Sequence, residues 1–318
     1  MKKATYSSLL GSFCLLIFLL LVIEGCNWQK KKPKYILGDD TLTTGIIQIS
    51  VDESFKPVID SQIKVFLSQH PKAQIIAHYK PEAECLKDLL NDSIRMVIVT
   101  RGLSEEEVKF YEDTLQFKPI FGKIASDAIA VVVNNKSKDS IFSVSDIRSM
   151  LNGTSGYRYQ QVMDGISATS TVRYMIDSVL KGQPFSSTVV AAKTSEEVIT
   201  YVSNHPDAIG YVGVSWIGNK EDSTQLSFLK SVQIASMQCA NCDKEVYVKP
   251  YQANIALKRY PLIRGVHYIL KENYAGLGKG FTNFLTHEKG QLIFKRAYLV
   301  PDRMSLEVRK VNVDESNY

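Results

Sequence analysis

Ten consecutive residues, Ile124 to Val133, are almost wholly apolar, with Asp127 as their single charge. The run is rich in Ile, Val and Ala and holds no glycine or proline. It reads as a strand buried on both faces rather than as one side of a surface hairpin. A strand covered on both faces needs helices above and below it, which places the chain among α/β proteins.

The rest of the sequence alternates in the same sense. Ile46–Val51, Gln74–Tyr79, Met96–Thr100, Val189–Ala192, Ala208–Val214 and Tyr260–Ile269 read as further strands. Phe55, Val58, Ile59, Ile63, Phe66 and Leu67 recur at helical spacing after the first strand, with Ser54 at the N-cap position, Pro57 in the first turn and Pro71 beyond the end. Glu82–Leu90 is a short helix, and Ser104–Glu107 is a capping box opening another. Ser143 caps a helix through Leu151. Val172, Met175, Ile176, Val179 and Leu180 stripe the next, which Gly182 ends. Thr194–Glu197 opens a helix ending at His205-Pro206, and Gly280–Tyr298 is mostly helical. Gly210 and Gly213 inside a buried strand mark close backbone approach.

With 318 residues there is room for two domains or one large bilobed unit. A composition 45% hydrophobic and 22% charged excludes a mainly disordered or multi-span chain. The formal charge of +5 is mild, and no long Lys/Arg block follows the N-terminal region, so nucleic acid is not an expected partner. Enzyme signals are missing. The five histidines form no metal-ligand pattern, and neither a G-x-S-x-G elbow nor a Walker loop occurs. Glu105–Glu107 is a favourable acidic first turn, and Gly276–Gly280 reads as a turn before the last helix. No cofactor or metal is expected.

The N-terminus is an address. Lys2 and Lys3 precede an apolar run from Leu9 to Ile23, too short at about 1.5 Å per residue for a hydrocarbon core of roughly 30 Å. Gly25-Cys26 follows and resembles a lipobox, although Glu24 stands where a small residue is usual. Residues 1–25 then form a cleaved signal, and Cys26 carries the lipid. An uncleaved N-terminal anchor is the alternative. Either form places the protein outside the cytoplasmic membrane, tethered to a bilayer. Residues 26–45 read as a tether, whose lysines 30, 31, 32 and 34 either rest on anionic headgroups or are simply solvated.

Cys239-Ala-Asn-Cys242 has a spacing that suits a small structural disulfide, a redox dithiol or half of a zinc site. It lies late in the chain, with no second C-x-x-C or paired histidine.

Three strand-to-helix junctions share one chemistry: Val51–Phe55, Val99–Arg101 and Thr169–Arg173. Each can place a hydroxyl beside free backbone N–H groups at a helix start, where oxyanions are attracted. Arg101 and Arg173 add planar donors suited to phosphate or carboxylate.

Ala125–Asn134, Phe142–Gly153, Ser170–Arg173 and Ala208–Gly213 together resemble the PstS-like family of phosphate-binding, ABC-transporter substrate-binding proteins, over about Thr41 to Val313. The resemblance implies a type II periplasmic-binding-protein fold, two α/β lobes joined by crossing strands with a cleft between them. Residues 46–122 with 230–312 would form one lobe and 123–229 the other, with 313–318 as a tail. Carried over, the phosphate-binding residues are Ser54, Phe55, Thr100, Arg101, Ser170, Thr171 and Arg173. Partners would be inorganic phosphate or a similar oxyanion and an ABC permease, with the protein acting as a monomer. Two departures stand out. Thr171 follows Ser170 directly, without the family's intervening glycine, and Ile94–Val97 offers no carboxylate to accept a proton from hydrogen phosphate. Asp52 and Glu53 are the candidate replacements. Two rival readings remain, a sensory or structural lipoprotein of the same fold that docks a partner, and thiol-redox chemistry at Cys239 and Cys242.

Overall fold

The structure, a computed structural model, describes residues 40–304 except 115, 157, 166, 167, 220 and 244. The signal, most of the tether, Cys26, Ser167 and the tail lie outside those residues. Among the described residues no helix is long and apolar enough to cross a membrane.

One ten-stranded mixed sheet organises the chain. It is built from β1 (Gly45–Asp52), β2 (Ala73–Lys80), β3 (Ile94–Val99) and β4 (Ile120–Asn134). A short β5 (Ile141–Phe142) lies apart, and β6 (Gln160–Met163), β7 (Val190–Ala191), β8 (Ala208–Gly213) and β9 (Val232–Ile234) follow. β10 (Ser236–Gln238) and β11 (Tyr247–Val248) join β5 in a three-stranded sheet, and β12 (Ile263–Leu270) and β13 (Val300–Pro301) return to the large one. The order along it is β2-β1-β3-β12-β4-β8-β6-β7.

β4 is the run that dominated the sequence, and eight of its last nine residues are fully buried. It changes partners midway. Residues 120–128 pair with β12, and residues 129–134 pair with β8 and β9. Two halves result, each with its own apolar core. Ile47, Ile49, Phe55, Ile59, Phe66, Met96, Phe281 and Phe294 fill the first. Ile129, Val131, Phe142, Ile147, Met175, Tyr211 and Tyr260 fill a core of the second, and Val132, Val198, Val202 and Val212 close its other face. Met237, Ile255 and Leu262 pack in the second core, and β12 pairs with β3 and β4.

Local signals fall where the side chains demand. Ser104 and Glu107 exchange backbone and side-chain hydrogen bonds at 2.8 and 3.2 Å, and Ser143 forms a full capping box with Asp146. A Cβ at Gly210 would stand 2.7–3.0 Å from Val198, Val202 and Val132, so glycine is required for the helix Ser195–Asn204 to lie on the sheet. Two expectations change. The glycines after Tyr274 are not a free turn: the helix Leu277–Thr286 starts among them, and a Cβ at Gly280 would overlap the Leu42 carbonyl. The end of the expected tether is likewise part of the fold. Asp40 accepts from Arg95 Nη2 at 2.9 Å and from the Leu277 backbone at 2.8 Å.

Candidate functional site

The first junction turns sharply as β1 ends. Asp52 Oδ1 accepts from the Ser54 backbone at 3.0 Å, making a one-turn 3-10 helix of Glu53–Phe55 ahead of the helix Lys56–Gln69. Ser54 is therefore not the side-chain cap that its position suggested. Asp52 does the capping, and the freed Ser54 hydroxyl points across the molecule to Ser170 Oγ, 3.3 Å away. Both serines are fully buried.

The third junction supplies the other wall. Thr169 caps the short helix Ser170–Tyr174 by accepting from Val172 N at 3.2 Å. Thr169 and Thr171 donate to the two oxygens of Asp164, which fixes the loop from behind.

Between these walls lies Arg264, whose side chain is 2% exposed. Its Nε donates to Asp127 Oδ2 at 2.9 Å, across the β12–β4 pair that sets the two residues opposite each other. Its Nη1 donates to Ser170 Oγ at 2.9 Å and to Thr171 Oγ1 at 3.4 Å, and the Phe55 ring lies 5.3 Å from its Cζ. Nη2 approaches Asp127 Oδ2 at 2.8 Å without the alignment of a hydrogen bond, and it would touch any Cβ at Gly213. Asp52 Oδ2 is likewise buried without a hydrogen bond.

Charge follows burial. Removal from water pushes the Asp52 carboxyl up to about 6 although Arg264 and the nearby Ser170 hydroxyl pull it down. Burial also raises Asp127 and Asp164. It works against the charge on Arg264, but Asp127 and Asp52 overcome it and hold the guanidinium above its ordinary value. The cluster thus presents donors (Arg264, Ser54 and Ser170) beside an acceptor, Asp52.

The second junction belongs to a separate group of contacts. The helix Glu82–Lys87 begins with a carboxylate that is 2% exposed. Glu82 Oε1 accepts from Thr100 N at 2.9 Å and from Thr100 Oγ1. Arg173 Nε donates to Glu82 Oε2 at 2.6 Å, and Arg173 Nη2 reaches Thr100 Oγ1 at 2.7 Å. Burial would raise the Glu82 carboxyl, yet Arg173 and Thr100 together hold it below its ordinary value. Beside this group a cavity of about 320 Å³ opens, lined by Glu82, Leu86, Arg101, Thr169, Arg173 and Ile176. Glu53 makes a third link between the halves. It accepts from Ser195 N at 3.2 Å and from Ser195 Oγ at 2.7 Å, at the start of the helix Ser195–Asn204.

Ser54, Phe55, Ser170 and Thr171 therefore meet around one arginine, and Thr100 and Arg173 meet around Glu82. Arg101 joins neither group: both its Nη atoms fork onto Glu107 at 2.7 and 2.8 Å. Cys239 and Cys242 form a disulfide between β10 and β11. Among the described residues no group of His, Cys, Asp or Glu side chains could hold a metal ion.

Arg264 and Glu82 were missed from sequence. A signal existed for the first: Asp127 is a lone acid in a doubly buried strand, and a buried carboxylate needs a cation. Glu82 gave none, because an acid opening a helix is ordinary.

A family model described as a PBP superfamily domain matches residues 39–289. No curated protein matches the sequence. Among solved structures, one from Clostridium perfringens, described as a phosphate ABC transporter substrate-binding protein with bound phosphate, is 19% identical with a TM-score of 0.67, covering 81% of this chain and 99% of that one. An ABC-type phosphate transport receptor from Vibrio cholerae is 16% identical with a TM-score of 0.59, covering 80% and 99%. A possible phosphate binding protein from Planctomyces limnophilus is 17% identical with a TM-score of 0.55, covering 81% and 93%. The fold is the one these proteins share, and the chain belongs to the PBP superfamily.

Proposed function

We propose that the protein is a non-catalytic receptor, tethered outside the cytoplasmic membrane through Cys26, that captures inorganic phosphate between its halves and presents it to an ABC importer. The observation that carries this reading is the pairing of unspent groups in the inner cluster. Arg264 Nη2 is a buried donor without a hydrogen bond, and Asp52 Oδ2 is a buried acceptor without one. A ligand serving both must be an anion that still carries a proton. Hydrogen phosphate is such an anion at neutral pH, and sulfate is not. Asp52 then takes the part of the carboxylate missing from Ile94–Val97.

The magnitude is adequate. Micromolar affinity needs about 8 kcal/mol, and hydrogen bonds to a charged group contribute about 1.5–3 kcal/mol each before the cost of ordering. The two Nη groups of Arg264 with the hydroxyls of Ser54 and Ser170 offer four. Ser54 Oγ and Ser170 Oγ stand 3.3 Å apart, so the halves must separate to admit the ion, a hinge opening typical of two-lobed receptors.

Calorimetric titration of anion-stripped protein tests the reading. Phosphate binding at micromolar or tighter Kd, with sulfate at least tenfold weaker, is expected, and Asp52→Asn should narrow that ratio. Equal binding of both anions would remove Asp52 from the specificity. Binding of neither would favour the partner-docking lipoprotein instead.

A further inference from the structure

We propose that Glu82 is a built-in competitor for the oxyanion, a side chain of the first half that occupies the Arg173 guanidinium of the second and latches the halves together until a ligand expels it. The proposal rests on the receptor reading above.

A main-chain N–H, a threonine hydroxyl and a guanidinium fork are a donor set suited to an oxyanion. Thr100 and Arg173 supply all three, and the carboxylate of Glu82 already satisfies them. Its two oxygens stand in for two oxygens of a ligand. The contact crosses between halves: Glu82 opens a helix packed under β1 and β3, whereas Arg173 follows the loop after β6. The neighbouring backbone crosses too, with Ala83 N donating to Ala168 O at 2.9 Å. Glu53 repeats the device at Ser195, a second carboxylate of the first half on donors of the second.

A purely structural ion pair would have no reason to sit on the edge of a cavity. This one does, and the cavity is lined by both members of the pair. Arg173 is 39% exposed on that side while Glu82 is 2% exposed, so the guanidinium can exchange one anion for another without being unburied. A ligand entering by this mouth reaches the exposed Arg173 before the buried Glu82. When it displaces Glu82, the helix Glu82–Lys87 keeps only the Ala83–Ala168 backbone bond to the opposite half. Apparent affinity is the intrinsic affinity reduced by the fraction of molecules whose latch is open. Removing the carboxylate should therefore tighten binding, the opposite of what loss of a ligand-contacting residue does.

The test uses the full chain in detergent with Glu82→Gln and Glu82→Ala, each also carrying nitroxides at Lys64→Cys and Thr200→Cys, one exposed site in each half. Without ligand, the spin–spin distance should lengthen in both variants relative to the parent. Phosphate should bind both variants at least tenfold more tightly than the parent by calorimetry, a change of about 1.4 kcal/mol. Glu82→Gln preserves shape, so agreement of the two variants separates loss of charge from loss of packing. Weaker phosphate binding in the variants would overturn the proposal by making Glu82 part of the ligand site. Unchanged distance and affinity would overturn it by making the contact inert. A lengthened distance with no phosphate binding by parent or variants would overturn the receptor reading, and with it the competition, leaving only a clasp.

Discussion

The two charged groups of the cleft are built from the same residue types and differ in what remains unspent. Around Arg264, three acids converge on one cation, and atoms on both signs of charge stay buried without hydrogen bonds. Around Arg173 the donors are all engaged: Glu82 accepts from Thr100 and from Arg173 Nε and Nη2, Thr100 Oγ1 also accepts from Nη2, and Asp177 takes Nη1 at 3.4 Å. Leaving a buried polar atom unsatisfied costs about 1–3 kcal/mol, so the unpaired atoms around Arg264 favour a group that can pair with them. Complete satisfaction marks a contact that closes the molecule on itself. On the proposed reading a cluster rich in carboxylates can still serve an anion, because Asp52, raised to about 6, can share the ligand's proton.

The largest effect should come from Arg264→Met. It strands Asp127, which is fully buried, and breaking such a pair costs about 3–5 kcal/mol. Chemical denaturation should show that loss together with abolished phosphate binding. A loss near zero would erase the distinction between the two groups.

The pH profile of unfolding sharpens it next. A carboxyl whose folded pKa is raised stabilises the fold below its unfolded value, and that stability is lost as pH rises to the folded value. For Asp52 the window runs from 3.8 to about 6 and for Glu53 from 4.5 to about 7. For Asp52 the span corresponds to about 3 kcal/mol. Glu82 has the opposite sign: its contribution is present above the ordinary glutamate value and lost as pH falls through its lowered one. Asp52→Asn should flatten the fall between pH 4 and 6, and Glu82→Gln should remove stability from the neutral side. Two variants with profiles of the same sign would break the comparison.

Smaller effects follow away from both groups. Cys239→Ser with Cys242→Ser opens a four-residue loop and should cost no more than about 2 kcal/mol, with phosphate affinity unchanged. Loss of binding there would make the disulfide loop part of the binding machinery. Arg101→Ala should be the mildest. Its guanidinium is a third exposed and spent on Glu107, a surface pair worth about 0–1 kcal/mol. Less than threefold change in Kd by titration is expected, and a tenfold change would return Arg101 to the site.

The strands and the caps at Ser143 and Thr194 were legible because each depends on neighbours in sequence, and Gly210 stood out only as a glycine inside a buried strand. The inner cluster was half legible. Ser54, Ser170 and Thr171 stand at strand ends, where chemistry is expected, but Ser54 reads as a cap until the backbone shows that Asp52 has taken the role. Arg264 needed the register of β12 on β4, which pairs residues 137 apart. Glu82 and Arg173 are 91 apart and meet only when the halves do.

β4 exchanges β12 for β8 between Ala128 and Ile129, and Asp127 stands one residue before that switch. Rotation of one half against the other must therefore twist the strand next to the Arg264–Asp127 pair. The ion's seat and the molecule's axle share about one peptide of chain. On the proposed reading, substitutions at that pair should change residence time together with affinity.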